Sequence, residues 1–352
     1  MTQRSIILRI LPILLLTPIL IGCPNTPQNG GEDGKTDTTK SATTNVLPDP
    51  AGMPEFNAQS AYDYVAKQVS FGTREPNSPG AKKAIAYFLE ELGKLADTVY
   101  PQKFTHTGYS GAVLNLTNIV ARFNPEAKVR ILLCAHWDSR PRADMEQDES
   151  KQKQAIPAAN DGASGAGVLL EIARILKETP QGVGVDIVLF DGEDYGDSDI
   201  DDTAQYFLGA KYFSSNLPPG TKPAFGILLD MVGDKEAEFA MEGNSLDFAY
   251  PVVVKLWKAA SHLQLPAFKH ERGGVISDDH IPLNKVAGIP TIDIIDIDLV
   301  GHNTLNPRRK YWHTLGDTMD NIGASTLGQV GKLLVYTIYK LIPDEMNQQQ
   351  PA

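Results

Sequence analysis

The chain has 352 residues, with 43 acidic against 32 basic side chains and a formal net charge of −11. So acidic a chain is an unlikely partner for nucleic acid, whose binding rests on Lys and Arg contacts to phosphate. Behind its first fifty or so residues, the length is sufficient for one large domain with a complete hydrophobic core.

The N-terminus has the pattern of an export signal. Arg4 and Arg9 flank the start of an apolar run over residues 6–21, which Pro12 and Pro18 interrupt and which is short for a membrane span. Its end, Leu-Ile-Gly-Cys at residues 20–23, resembles the bacterial lipobox, so we expect residues 1–22 to be a lipoprotein signal peptide and Cys23 to be lipidated. A signal peptide cleaved elsewhere, leaving Cys23 as a thiol, is the alternative.

Lipidation of Cys23 predicts a protein anchored in a bacterial cell envelope, facing the periplasm or the exterior. Residues 23–53 are polar and rich in Pro, Gly and Thr, and we expect a flexible tether there. The remaining cysteine, Cys134, lies in an apolar run and is interpreted as a buried thiol. A folded domain is predicted over residues 54–344 and a disordered tail over residues 345–352.

Helical and strand patterns then alternate along the chain. Apolar spacing predicts helices over residues 58–69, 80–95, 165–177, 204–215, 247–263 and 325–341. Strands are predicted over residues 99–107, 117–123, 129–135, 183–190, 225–231 and 289–295. This order predicts a single-domain α/β fold in which a central mixed, mostly parallel sheet carries helices on both faces. The polar stretches 140–157 and 197–202 are expected to be surface loops.

Acidic and histidine residues follow several predicted strands directly. His136 follows one strand, Glu193 and Asp194 follow another, and Asp230 ends a third. Sites in such folds collect at the carboxyl ends of strands, so we expect these side chains to meet. Asp161, Asp194 and His313 supply one set of three zinc ligands, and His136 and Asp230, with Asp161 bridging, supply a second. Glu193 is a spare carboxylate beside a ligand and can carry a proton.

Each motif alone has an ordinary interpretation. A His-x-Asp sequence is often a surface pair, and Asn-Asp-Gly at residues 160–162 is a common turn. Glu193 with Asp194 could be a solvated acidic loop, but the buried strand before them favours a fixed position at the sheet edge. Five such motifs in one domain, mostly at strand ends, favour a metal site. Ser164 lacks the Gly-x-Ser-x-Gly context of a nucleophile, and we expect it to help begin the following helix.

The domain over about residues 55–343 resembles the zinc-dependent exopeptidases that include the M28 aminopeptidases, and within them the glutaminyl-peptide cyclotransferases. The features that favour the cyclases are Asp-Asp-His-Ile-Pro-Leu at residues 278–283 and Trp-His-Thr at residues 312–314. Enzymes of that group close the N-terminal glutamine of a peptide into pyroglutamate and release ammonia. The resemblance implies peptide or protein N-termini as substrates, and a monomer is favoured.

The resemblance also implies roles for matching residues. Asp161, Asp194 and His313 would bind one zinc, and Glu193 would move a proton from the substrate amine to the leaving nitrogen. Asp230 and Asp279 would assist Glu193 through hydrogen bonds. Trp312 and His280 would contact the substrate.

Two alternatives stay open. His136, Asp161, Asp194, Asp230 and His313 also form the complete ligand set of a two-zinc aminopeptidase, in which Glu193 would be the general base for a bridging water. The other alternative is a non-catalytic binding lipoprotein on the same fold, although a protein that had lost its activity would be expected to lack a ligand or Glu193.

Overall fold

The computed structural model describes residues 46–198 and 203–348. The predicted signal peptide and Cys23 lie outside the described residues, as do most of the predicted tether and part of the acidic stretch 197–202. No helix in the described ranges is long and apolar enough to cross a membrane.

The core of the fold is a six-stranded sheet in the order β1-β2-β4-β3-β5-β8. The strands are β1 (Thr98–Thr107), β2 (Val113–Phe123), β3 (Arg130–His136), β4 (Gly184–Phe190), β5 (Gly226–Asp230) and β8 (Thr291–Ile295). The first three strands in the sheet order pair antiparallel, whereas β4, β3, β5 and β8 pair parallel. The predicted mixed, mostly parallel sheet is confirmed.

The sheet separates two apolar cores because alternate residues of each strand face opposite sides. On β3, Ile131, Leu133 and Ala135 belong to the larger core, whereas Leu132 and Cys134 belong to the smaller one. Cys134 is buried and unpaired, as its apolar context predicts.

Helices cover both faces of the sheet. The larger core packs beneath α1 (Ala58–Val69), α2 (Pro79–Leu95), α3 (Ala163–Glu178), α5 (Gly243–His262) and α7 (Ala324–Tyr336). The smaller core packs beneath α4 (Leu208–Ser215) and the residues that follow α6 (His280–Pro282). Asn57 and Ser78 begin α1 and α2 as N-caps, each accepting a hydrogen bond from a backbone N–H three residues further on.

The structure differs from the predicted elements and boundaries at several places. Residues 46–53 are not tether: Leu47 and Met53 pack against the larger core, and Tyr336 Oη donates to the Pro48 carbonyl at 2.5 Å. Residues 345–348 belong to α8 (Ile342–Gln348), which continues from α7 through a turn of π-helix, so the tail is not disordered there. The helix predicted from residue 204 begins only at Leu208. A small parallel pair, β6 (Phe239–Met241) and β7 (Phe268–Arg272), was not predicted, since short strands carry little periodic signal.

Candidate metal and catalytic site

The carboxyl ends of the parallel strands bring the predicted side chains together. His136 is the last residue of β3, Asp230 is the last residue of β5, and Glu193 and Asp194 lie in the turn after β4. Asp161 arrives from the loop just before α3, and His313 arrives from the loop that precedes α7. His313 takes a left-handed backbone conformation with φ of 53°. Side chains separated by up to 177 positions therefore meet at one edge of the sheet.

Asp161, Asp194 and His313 form a group with the spacing of metal ligands, here called the outer group. One ligand atom of each lies within 4.8 Å of the others, and all three residues are buried. His313 Nε2 lies 3.3 Å from Asp194 Oδ2 and 3.6 Å from Asp161 Oδ2.

His136, Asp161 and Asp230 form a second group, the inner group, which shares Asp161 with the first. His136 Nε2 lies 3.1 Å from Asp161 Oδ1 and 3.2 Å from Asp230 Oδ1. Burial by itself lowers the pKa of His136, but its contacts with Asp138, Asp161 and Asp230 raise that pKa well above the usual value. Either a protonated His136 or a metal ion would balance the negative charge of these carboxylates.

The residues of the outer group fit a zinc ion. Zinc accepts imidazole nitrogen and carboxylate oxygen as ligands, and a catalytic zinc ion takes three protein ligands and keeps a position open for substrate or water. Asp194 Oδ2 is buried and makes no hydrogen bond within residues 46–198 and 203–348, although burying a charged oxygen without a partner is costly. A cation at this position would supply the partner that the protein does not.

Backbone hydrogen bonds fix the ligands that come from loops. Asp317 accepts from the N–H groups of Asn160 at 2.8 Å and Asp161 at 3.0 Å. Asp138 accepts from the N–H of Glu193 at 3.1 Å, and its Oδ1 lies 3.4 Å from His136 Nδ1. These two aspartates hold the segments rather than line the cavity.

Glu193 is the carboxylate best placed to carry a proton. Its side chain lines the cavity beside Asp161 and Asp194, with Oε2 3.8 Å from His136 Nδ1. Burial raises its pKa well above the usual value; His136 opposes this shift, while Asp194, Asp278 and Asp279 add to it. A carboxyl group with a raised pKa gains a proton more readily near neutral pH, as general acid–base catalysis requires.

A cavity of about 250 Å³ opens onto the outer group. All three members of that group line it, together with Glu193 and Asp230, whereas His136 is buried beneath and does not. The remaining wall is largely apolar or aromatic: Tyr206, Phe207, Met231, Ile276, Ile295, Val300 and Trp312. Trp312 stacks on His313, with the ring centroids 3.5 Å apart. Trp312, to which the resemblance assigns contact with the substrate, is therefore part of the cavity wall.

The structure places the residues of the segment 278–280 differently from what their assigned roles suggested. His280 does not line the cavity; it is fully buried, and its Nε2 faces Glu242 Oε2 at 3.4 Å. Asp279 is also fully buried and absent from the wall, whereas its neighbour Asp278 lines it. Asp278 and Asp279, which directly precede α6, point in different directions, so only Asp278 reaches the cavity. The sequence shows the pair but not which member is turned inwards.

Arg140 is a site residue that the sequence did not indicate. The stretch 140–157 was expected to be a surface loop, yet the Arg140 side chain is fully buried and donates a hydrogen bond to Asp194 Oδ1. It also donates to Asp144 Oδ1 at 2.8 Å. An arginine within an otherwise polar stretch carries no signal of burial, because its partners lie elsewhere in the chain.

Comparisons with known proteins agree with this geometry. The model of peptidase family M28 matches residues 118–338, more than half of the chain. The crystal structure of Tannerella forsythia glutaminyl cyclase is 42% identical with a TM-score of 0.77, and the match covers 81% of this chain and 99% of that one. A Zn-dependent exopeptidase from Parabacteroides distasonis is also 42% identical, with a TM-score of 0.78 and coverage of 82% and 99%. Bovine glutaminyl-peptide cyclotransferase is 25% identical over 74% of this chain and 76% of its own length.

Proposed function

The chain belongs to peptidase family M28, and from that premise we propose that it is a zinc-dependent glutaminyl-peptide cyclotransferase. Its substrates are peptides or proteins with an N-terminal glutamine, and its products are the pyroglutamyl peptide and ammonia. The observation that carries the proposal is the convergence of the outer group, Glu193 and Trp312 on one cavity of about 250 Å³. The similarity to a glutaminyl cyclase over nearly the whole of that enzyme supports the same reading.

The chemistry requires little more than positioning and proton transfer. The α-amino nitrogen and the γ-carbonyl carbon belong to one residue, so the cavity has to hold the side chain folded back for ring closure. When bound by Asp161, Asp194 and His313, zinc supplies Lewis-acid polarisation of the γ-carbonyl. A bond forms between the α-nitrogen and the γ-carbon, and the bond from that carbon to the amide nitrogen breaks.

Glu193 balances the protons of this exchange. It accepts a proton from the attacking α-amine and delivers it to the leaving nitrogen, which departs as ammonia. Asp230 and Asp278 line the cavity with Glu193, and we assign to them the supporting role that the resemblance implied for Asp230 and Asp279. Trp312 provides a flat apolar wall against which the methylene groups of glutamine pack.

We propose one zinc ion, bound by the outer group, because all three of its members line the cavity. The inner group supports the second candidate function, a two-zinc aminopeptidase, since His136, Asp161 and Asp230 also have the spacing of metal ligands. In that case Glu193 would activate a water that hydrolyses the first peptide bond. The burial of His136 away from the cavity favours the cyclase with one zinc.

Two substrates separate these functions in one assay. The purified protein is incubated with a Gln-initiated peptide and, separately, with leucine amide, while zinc content is measured per chain. Ammonia release with loss of the free amine from the peptide, no reaction with leucine amide and about one zinc per chain are expected. Free leucine with two zinc ions would replace the cyclase by the aminopeptidase. Inactivity on a panel of peptides would favour a non-catalytic binding protein.

We also propose that the protein is anchored by a lipidated Cys23 in a bacterial cell envelope and acts as a monomer. The sequence pattern of residues 1–23 supports the anchor. Mass spectrometry of the protein purified from a bacterial host should find acyl chains on Cys23 and no residues before it. A Cys23 that carries no acyl chain would contradict lipidation, and size-exclusion chromatography would test the oligomeric state.

A further inference from the structure

Arg140 and Asp144 form a charged pair directly behind the outer group. Arg140 Nε donates to Asp144 Oδ1 at 2.8 Å, and Arg140 Nη2 donates to Asp144 Oδ2. The guanidinium therefore binds the carboxylate through two parallel hydrogen bonds. The Arg140 side chain is fully buried and that of Asp144 is 18% exposed. Neither residue lines the cavity, so neither is expected to touch the substrate.

Each member of the pair contacts one residue of the outer group. Arg140 Nη1 donates to Asp194 Oδ1 and, at 3.3 Å, to the Asp194 carbonyl. Oδ1 is thereby occupied, and Oδ2 remains the oxygen directed at His313 Nε2. Asp144 Oδ1 lies 3.4 Å from His313 Nδ1. That nitrogen is buried and makes no hydrogen bond within the described ranges, and Asp144 Oδ1 is the carboxylate oxygen in ion-pair contact with it.

The pair is also joined to the segment that follows Asp194. Ser198 Oγ accepts from Arg140 Nη2 at 2.7 Å and donates to Asp144 Oδ2 at 2.6 Å. The loop that carries Arg140 and Asp144 and the turn that carries Glu193 and Asp194 are therefore held in one arrangement.

We propose that Arg140 and Asp144 are positioning residues of the zinc site. Asp144 fixes the His313 ring with Nε2 towards the metal position, and Arg140 holds Asp194 so that it presents Oδ2 alone. A partner on the second nitrogen of a metal-binding histidine selects its tautomer and orientation, and loss of such a partner typically weakens metal binding by about 10- to 100-fold. The proposal rests on the outer group being the zinc site, as proposed above, but does not depend on the reaction catalysed there.

The test measures zinc affinity without substrate, by competition with a chromophoric chelator. Its result therefore does not depend on whether the protein is a cyclase. Asp144→Asn is expected to weaken zinc binding by about 10- to 100-fold and to alter the visible spectrum of the Co²⁺-substituted protein. Asp148→Asn is the matched control, since it removes the same charge from the same loop at a side chain that is 53% exposed. Wild-type affinity and an unchanged Co²⁺ spectrum in Asp144→Asn would overturn the role of Asp144.

A double variant separates positioning from simple charge balance. Asp144→Asn alone leaves the positive charge of Arg140 balanced by Asp194 only, which also disfavours a cation. Arg140→Gln/Asp144→Asn removes both charges, so a purely electrostatic effect would disappear, whereas lost orientation keeps zinc binding about tenfold or more weaker. Recovery of wild-type affinity in the double variant would overturn the positioning role.

Arg140→Lys tests the guanidinium itself while keeping its charge. Lysine cannot reproduce the planar set of donors that reaches Asp144, Asp194 and Ser198 together, so weaker zinc binding and an altered Co²⁺ spectrum are expected. Unchanged values for both would overturn the role assigned to Arg140. Thermal melting of each variant, measured without metal, reports whether it is folded in the binding assay.

Discussion

The two ends of strand β3 bury charges in opposite ways. At the amino end, Arg130 Nη1 donates to Asp186 Oδ1 at 2.6 Å and Arg122 Nε donates to the same oxygen at 3.0 Å. Arg130 also donates to the backbone carbonyls of Phe123 and Asn124, so this charge is held by hydrogen bonds from several directions. At the carboxyl end, carboxylates outnumber the basic groups, and Asp194 Oδ2 makes no hydrogen bond within the described residues.

This difference distinguishes a structural ion pair from a reactive site. A buried charge is tolerated when it is paired and hydrogen-bonded. A buried excess of carboxylates instead raises the pKa of those carboxyl groups. Burial, reinforced by neighbouring carboxylates, raises the pKa of Glu193 well above its usual value and that of Asp278 to about 8. The amino end is therefore a structural ion pair whose partners depend on each other, and the carboxyl end is prepared for a cation and for proton transfer.

The largest expected effect is that of Glu193→Gln at the carboxyl end. Because the amide cannot carry the proton, kcat for Gln-peptide cyclisation should fall by about 10²- to 10⁴-fold. Zinc content and melting temperature should stay at wild-type values, because Glu193 is not one of the three proposed zinc ligands. Steady-state ammonia release and metal analysis check this. A variant that keeps kcat would remove Glu193 from the mechanism.

The converse is expected of Arg130→Gln at the amino end. Removing one partner of a buried ion pair leaves an inadequately compensated charge, so the free energy of unfolding should fall by about 3 kcal/mol. The kcat should not change at temperatures where the variant is folded, because Arg130 lies at the opposite end of β3 from the cavity. Urea unfolding and ammonia release measure the two quantities. A large loss of kcat with unchanged stability would contradict the division between the two ends.

Glu242 extends the comparison, because it lies near the site yet is fully hydrogen-bonded. It accepts from the N–H groups of Asn244 at 2.8 Å and Ile276 at 2.9 Å, and it faces His280. Burial alone raises its pKa, but His280 and these donors outweigh that effect and lower the pKa to about 2. A folded pKa below the unfolded value stabilises the protein above about pH 4, and this contribution is lost as the pH falls towards 2.

Glu242→Gln should therefore lower the free energy of unfolding by about 3 kcal/mol at pH 7 and by progressively less below pH 4. Glu90→Gln is the control, since Glu90 pairs with Lys94 on the surface, and it should change stability by less than about 1 kcal/mol at either pH. Urea unfolding at pH 7 and pH 3 measures both. A deficit in Glu242→Gln that is equally large at pH 3 would show that its charge is not the cause.

The smallest expected effect separates Asp278 from Asp279. Asp278 lines the cavity with Glu193, and an Asn at position 278 cannot exchange a proton with that carboxylate. Asp278→Asn should therefore lower kcat by about tenfold, the effect of one pKa unit on a coupled group, and shift the alkaline limb of the pH–rate profile. Asp279→Asn should change kcat less, because Asp279 does not line the cavity and an amide of the same shape replaces it. Equal effects of the two variants would contradict the inward orientation of Asp278 alone.

Much of this arrangement follows from the sequence. Apolar strands of β-branched residues and amphipathic helices gave the correct order of the principal elements, because burial on a sheet and on a helix imposes different periods. Parallel strands place their carboxyl ends at one edge, so His136, Glu193, Asp194 and Asp230 could be expected to meet. The strand predicted over residues 289–295 likewise contains the whole of β8 (Thr291–Ile295).

Other features depend on the tertiary structure alone. The choice between Asp278 and Asp279 is set by backbone angles at the start of α6, and the burial of His280 follows from its contact with Glu242. Arg140 and Asp317 act on residues 54 and 156 positions away in the chain, for which the local sequence carries no signal. The sequence by itself determined which chemical groups gather at the sheet edge. Only the packing of distant loops decided which of them face the cavity and which hold the others in place, because orientation depends on contacts between segments that are remote in the chain.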